Sequence, residues 1–240
     1  MSAALSAALS MLSLGGYRVV VLDFSGAFGR ALACVAHHVL GRAEQALWQG
    51  FALERKRLTW LAGRVAAKLA LRLALAEDAP RREAGDLPHL RDLPVLPQTG
   101  RSGPPHSPIG GALSLSHSGT LAAAVHAPTP VGLDLEGLRP IGANARRWLL
   151  SSSEARLLGP DPDDAALTHL WAAKEAVLKA RHAPNLAQMR GLRWHGWGQD
   201  GTARVTDTNG PLAWVHAGLW RGHAIALATY LPMKGERAHA

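Results

Sequence analysis

From residue 131 to 136 apolar and polar side chains alternate strictly, Val131, Leu133 and Leu135 against Gly132, Asp134 and Glu136. A strand sends successive side chains to opposite faces, so the pattern predicts a strand with two acids on one face and three apolar residues entering a core. Leu167, Leu170, Trp171, Val177 and Leu178 recur near helical spacing with no Gly or Pro among them, which predicts a helix from about 163 to 181. Asp161-Pro162 suits its start and His182-Ala183-Pro184-Asn185 its end, while Ser151-x-x-Glu154 is the capping-box pattern of a shorter helical turn. Short strands are expected near 191–197, 202–206, 212–217 and 222–231.

The first half follows the same plan. YRVVVLDF at 17–24 reads as a buried strand and 54–76 as a long helix, with Leu58, Leu61, Val65 and Leu69 as its apolar stripe. Arg57, Arg64, Lys68 and Arg72 fall on its other faces and read as solvated cations. Residues 94–110, rich in Pro and Gly, read as a long loop, followed by a hairpin of 111–117 with 120–126. Residues 1–17 carry Ala, Ser and Leu without charge until Arg18 and read as a loosely fixed end or a short helix. The expected class is α+β, divided at the stiff His126-Ala127-Pro128-Thr129-Pro130 connection into halves 1–127 and 128–240.

Composition narrows the setting. A chain of 240 residues, 48% hydrophobic, can bury a good core, and no run of about twenty apolar residues is available to span a bilayer. The formal charge of +8 favours acidic partners without choosing among them, and no run of five cations marks a nucleic-acid tail. Cys34 stands alone, so no intramolecular disulfide forms and a reducing, cytoplasmic setting is expected. The N-terminal stretch lacks the basic segment of a secretory signal.

The chemistry concentrates in two places. Residues two apart on a strand lie about 6–7 Å apart along the chain, so Asp134 and Glu136 can converge on one divalent cation. Trp171, Glu175 and Lys179, four apart, form one stripe along the second-half helix. Lysine occurs only at 56, 68, 174, 179 and 234, and two of these lie in this one motif. A mobile ammonium meets a phosphate as a point charge, which suggests phosphate chemistry. Each feature alone has an ordinary reading: a surface helix pair for Glu175 and Lys179, the wet face of an edge strand for the acids, a core position for Trp171. The ordered combination, with Trp171 standing 37 positions after Asp134, argues against them jointly. Ser116-His117-Ser118 invites a hydrolase reading, but adjacent residues on a strand point to opposite faces and no G-x-S-x-G elbow is present.

In this order the residues resemble the 4′-phosphopantetheinyl transferases of the type that activates peptide and polyketide synthases. Their signature, (V/I)G(I/L)D-x-E followed some forty residues on by W-x-x-KE-x-x-x-K, stands here as Val131, Gly132, Leu133, Asp134 and Glu136, then Trp171, Lys174, Glu175 and Lys179. LSLSHSG at 113–119 is similar to the family's N-(I/L)-SH-(S/T)-G segment, with Ser116 and His117 matching, and TGRSGPP at 99–105 to its GKP loop, with Arg101 where Lys is usual. The likeness runs from 99 to 195 and more weakly back to WLAGRVAAK at 60–68. Two departures stand out: Ser102 and Gly103 intervene before Pro104, and where the family tends to place a phosphate-holding cation upstream of WLAGR this chain has Glu44 to Trp48, with Arg42 the nearest cation.

The resemblance implies two pseudo-twofold-related halves, each a small, mostly antiparallel sheet packed against a long helix, with a cofactor site between them. It implies a holo-[carrier protein] synthase that moves the phosphopantetheinyl arm of coenzyme A to a serine of an acidic apo carrier protein and releases adenosine 3′,5′-bisphosphate. The carrier would belong to fatty-acid, polyketide or nonribosomal peptide biosynthesis. Asp134, Glu136 and Glu175 would bind Mg²⁺, with Glu175 also the general base. Lys179 would stabilise the leaving group, Lys174 would assist on the pantetheine-phosphate side, and Ser116 and His117, with Arg101 nearby, would meet the 3′-phosphate. Arg139, Arg146, Arg147 and Arg156 with Trp148 would face the carrier. The expected enzyme works as a monomer, without nucleic acid or membrane. Two other readings remain: a Mg²⁺-dependent nucleotide or coenzyme A hydrolase, and a basic nucleic-acid-binding module built on 26 cations and 8 Trp. Converging carboxylates oppose the module unless a metal intervenes.

Overall fold

The computed structural model describes residues 8–78, 87–99, 102–182, 186–207 and 212–230. The chain divides into two compact units, Met1–Pro128 and Thr129–Ala240, each taken by itself below.

In the first unit, β1 (Leu9–Leu14) and β2 (Tyr17–Asp23) form an antiparallel hairpin. Its two-residue loop is Gly15-Gly16, both at positive φ, the backbone that glycine adopts without strain in tight hairpin turns. Residues 9–14 are therefore a strand, which corrects the expectation of a loose end or helix there; residues 1–7 lie outside those described. Helices α1 (Gly26–Cys34), α2 (Ala36–Val39) and α3 (Arg42–Gln49) precede the long α4 (Glu54–Asp78). The stretch expected as one long loop contains a small two-stranded ladder, β3 (Pro97–Thr99) with β4 (Ser102–Pro105). The expected hairpin follows as β5 (Ala112–Ser118) and β6 (Leu121–Ala127). The main sheet runs β1-β2-β6-β5, antiparallel throughout, and α4 packs on β2, β5 and β6.

The cations of α4 do not form a solvated face. Sheet contacts on one side and α1, α3 and the turn Leu90–Asp92 on others bury Arg64 and Lys68, while Arg57 and Arg72 stay half-exposed. Periodicity identifies residues that share a face but not how many faces get covered. Lys68 Nζ donates to Glu44 at 2.6 Å and to the Leu90 carbonyl at 2.9 Å, and Glu44 also accepts the backbone N–H groups of Gly41 and Val95.

The second unit opens with β7 (Val131–Gly137), then α5 (Ala143–Leu149), α6 (Ser152–Leu158), α7 (Asp164–Ala180) and α8 (Leu186–Met189). Four strands close it: β8 (Leu192–Trp197), β9 (Thr202–Asp207), β10 (Ala213–Trp220) and β11 (His223–Tyr230). The sheet order is β7-β11-β10-β9-β8, antiparallel throughout, with α7 lying on β7, β11 and β10. Ser151 caps α6 by accepting the Glu154 N–H, and Asp163, not Asp161, caps α7 by accepting the Ala166 N–H at 2.6 Å. Each unit is thus an antiparallel sheet on a long helix, the α+β class expected. Among the described residues no helix is long and apolar enough to cross a membrane.

Candidate active site

The closeness of α7 to β7 starts with Gly132. A Cβ at that position would lie 1.9 Å from the Ala176 carbonyl oxygen and 2.5 Å from the Ala180 nitrogen, so only glycine lets the helix backbone rest on the strand. On β11, which pairs with β7, the residues opposite Gly132, Asp134 and Glu136 are Ala228, Ala226 and Ala224, small side chains that leave room beneath the helix. The β7 face bearing the acids is therefore the face that meets α7, and the stripe Trp171, Glu175, Lys179 runs along the half-exposed side of that helix.

Asp134 is only 3% exposed, and its Oδ1 accepts from Lys179 Nζ at 2.6 Å. Glu136 and Glu175 are half-buried. Burial raises the Glu175 carboxyl above its ordinary value, the Asp134 and Glu136 charges push the same way, and Lys179 opposes them. Glu136 is likewise raised, first by burial and then by Asp134, against the pull of Arg139, 3.9 Å away, and Lys179. The structure thus gathers Asp134, Glu136, Glu175 and Lys179 within electrostatic reach of one another, across a strand and a helix, with Asp134 and Lys179 45 residues apart in sequence.

Residues 130–228 match the family model of the 4′-phosphopantetheinyl transferase superfamily. This part of the chain is similar to that superfamily. A search of the curated proteins found no match. The matched segment holds all four of the gathered residues and all of the second sheet except the last two residues of β11.

The donor set of the superfamily segment suits a hard divalent cation, since the acids offer only oxygen. Among the described residues no group of three or more His, Cys, Asp or Glu side chains is placed as a metal cage, and Lys179 stands against Asp134 instead. Magnesium is commonly held by one or two carboxylates together with substrate phosphates and water, so Asp134, Glu136 and Glu175 fit it without such a cage.

Lys174 belongs elsewhere. It is fully buried, its Nζ donating to Glu154 at 2.9 Å and to the Leu149 carbonyl at 2.6 Å, which corrects the expectation that it faces the pantetheine phosphate. One position from Glu175 on a helix means about 100° of rotation, enough to turn a side chain from the half-exposed side into the core.

The first unit contains a cavity of about 770 Å³. Phe24, Phe51, Trp60 and Leu115 give it apolar walls; Arg55, Lys56 and Arg64 give it positive charge, with His117, Ser118 and Thr120 beside them. The Arg64 guanidinium lies 4.2 Å from the Trp60 ring centroid, and its buried Nε has no hydrogen-bond partner among the described residues. Burial lowers the Arg64 pKa to about 10, Glu44 opposing the shift. His117 lines this basic cavity. Ser116 is buried and is not among the residues lining the cavity, whereas Ser118, at the end of β5, is. Arg101 lies outside the described residues. In the sequence Arg64 reads as a solvated cation, and Arg55 and Lys56 are given no role; the signal that could have found them was the cation cluster flanking Trp60 in ERKRLTWLAGR.

Proposed function

We propose that this chain transfers the 4′-phosphopantetheinyl group of coenzyme A to a serine hydroxyl of an apo carrier protein and releases adenosine 3′,5′-bisphosphate. The observation that carries the reading is the meeting of Asp134, Glu136, Glu175 and Lys179 within the superfamily segment, at the contact of β7 with α7. The serine oxygen attacks the phosphorus on the pantetheine side of the pyrophosphate. The bond from that phosphorus to the bridging oxygen breaks, and the bridging oxygen leaves with the nucleotide.

Glu175 takes the serine proton. Its raised pKa brings its proton affinity closer to neutral pH, which suits a base. Lys179 supports the charge that builds on the departing phosphate. Asp134, Glu136 and Glu175 would hold Mg²⁺, which when bound supplies charge neutralisation on the pyrophosphate. The cavity of the first unit, lined by Arg64 and His117, suits a phosphate, and Trp60 with the neighbouring Phe51 offers flat surface to a base. The exposed Arg139, Arg147 and Trp148 suit an acidic carrier.

Intact-mass analysis of an apo carrier protein incubated with the chain, coenzyme A and Mg²⁺ tests this. The carrier gains the mass of the arm with the wild type, and Glu175→Gln slows the gain by about 10²–10⁴-fold. A carrier of unchanged mass, with coenzyme A hydrolysed, favours the hydrolase instead.

A further inference from the structure

The Asp134–Lys179 contact joins a group that cannot move to one that can. Asp134 sits on a strand under α7, almost wholly buried, with its backbone paired to β11. Lys179 reaches it from the next turn of α7 after Glu175, with about a quarter of its side chain exposed and a flexible four-carbon stem. Its ammonium stands where a divalent cation using Asp134 as a ligand would compete for the same oxygens. Two cations at one carboxylate repel each other, and the one on a flexible stem is the one that gives way.

We infer that Lys179 serves as a built-in counter-ion for Asp134, released when the pyrophosphate of coenzyme A draws it away, so that the divalent cation and coenzyme A bind cooperatively. The inference rests on the transferase reading for the identity of the pyrophosphate ligand. Without that ligand, Lys179 neutralises Asp134 within a set of three mutually repelling carboxylates and weakens cation binding. With it, the phosphate oxygens accept the ammonium and free Asp134 to act as a ligand. Linkage requires the reverse as well: the cation, by displacing Lys179, favours coenzyme A by the same factor.

The test is Mn²⁺ binding to the full chain, read by the electron paramagnetic resonance of the free ion and by calorimetry, with and without coenzyme A. Lys179→Met should bind Mn²⁺ alone about tenfold more tightly than the wild type and show a smaller gain when coenzyme A is added. Arg139→Met removes a positive charge near Glu136 without freeing Asp134 and should tighten Mn²⁺ by much less. A second measurement needs no variant: acetylation of Lys179 in the wild type, followed by mass spectrometry, should speed up when Mn²⁺ is added alone, with the exposed Lys56 as reference. Unchanged Mn²⁺ affinity in Lys179→Met, equal tightening by Arg139→Met, or Lys179 labelling indifferent to Mn²⁺ overturns the inference. Carrier modification by the wild type is scored separately: if it occurs while those results hold, only the counter-ion role falls, and if it is absent the transferase reading falls.

Discussion

Lys68 and Lys174 hold equivalent places in the two units. Each projects from the long helix of its unit into the interior and is fully buried, and each donates to a buried glutamate and to a main-chain carbonyl. The glutamates match as well: Glu44 and Glu154 each stand in the first turn of a short helix, accept the N–H three residues earlier, and accept a second N–H far along the chain, from Val95 and Trp194. Each arrangement ties a short helix, the long helix and a distant segment to one charge pair. Losing the lysine strands a buried carboxylate, so Lys68→Met and Lys174→Met should each cost about 3–5 kcal/mol, or roughly 6–20 °C in Tm. Calorimetry measures this, and a fall of under a degree would show the pair to be dispensable.

The pair also sets the response to acid. Burial pushes the Glu154 carboxyl up, but Lys174 and the N–H groups of Ser151 and Trp194 outweigh it, and the net shift is downward from 4.5. A carboxyl lowered in the folded state binds fewer protons than in the unfolded chain, so its contribution is full above about pH 4.5 and is lost as pH falls through the folded value. Glu154→Gln should therefore lower stability at pH 7 and flatten its dependence on pH below 4.5, as urea titrations at several pH values would show.

The strand and helix that carry the acids were legible because period-two and near-3.6 patterns survive in VGLDLEG and in 164–180, although both faces of the strand are covered. The β1–β2 hairpin was also present in the sequence, as Gly15-Gly16 between two apolar runs, and was obscured by the low charge of the end. Arg64, Lys68 and Lys174 were not legible. A cation on a helix looks solvated until a distant segment covers it, and here the covering partners lie 20–24 residues away in sequence or on other elements. The cavity around Trp60 was hidden for the same reason, since it draws on α4, β5 and the start of α1, which no local pattern joins.

Gly132→Ala asks whether the site depends on how near α7 lies to β7. The added Cβ would meet main-chain atoms of Ala176 and Ala180, which cannot rotate away, so the helix must lift. A loss of about 1–3 kcal/mol in stability is expected, with a larger loss of transfer because Glu175 and Lys179 move off Asp134 together. Parallel measurement of Tm and carrier modification distinguishes the two; full activity would mean the approach is not needed.

Glu175→Gln should separate activity from stability. Because burial and neighbouring acids raise the folded-state pKa above 4.5, the folded protein binds more protons than the unfolded chain in the window above that value, and stability falls as pH rises through it. Removing the charge should raise Tm at pH 7–8 by about 1–3 °C without added metal, and the gain should vanish near pH 4, where the wild type is also protonated. Added Mg²⁺ with coenzyme A should stabilise the wild type more than the variant. A variant less stable than the wild type at pH 8 would contradict the repulsion inferred at this site.

Arg64 offers the complementary test in the first unit. Its guanidinium is 7% exposed beside Trp60, and burial lowers its pKa to about 10, so the folded state carries a desolvated cation whose Nε has no hydrogen-bond partner among the described residues. Such a group gains its full value only when an anion arrives. Arg64→Met should leave Tm unchanged or slightly higher, since a flexible apolar side chain of similar length replaces a buried charge. The same change should raise the KM for coenzyme A about 10–100-fold with kcat within about threefold, the loss of one charge-assisted contact to a phosphate. Dephospho-coenzyme A, which lacks the 3′-phosphate, should be used equally poorly by both proteins. If Arg64→Met impairs the two substrates equally, Arg64 serves the shape of the cavity and not the recognition of that phosphate.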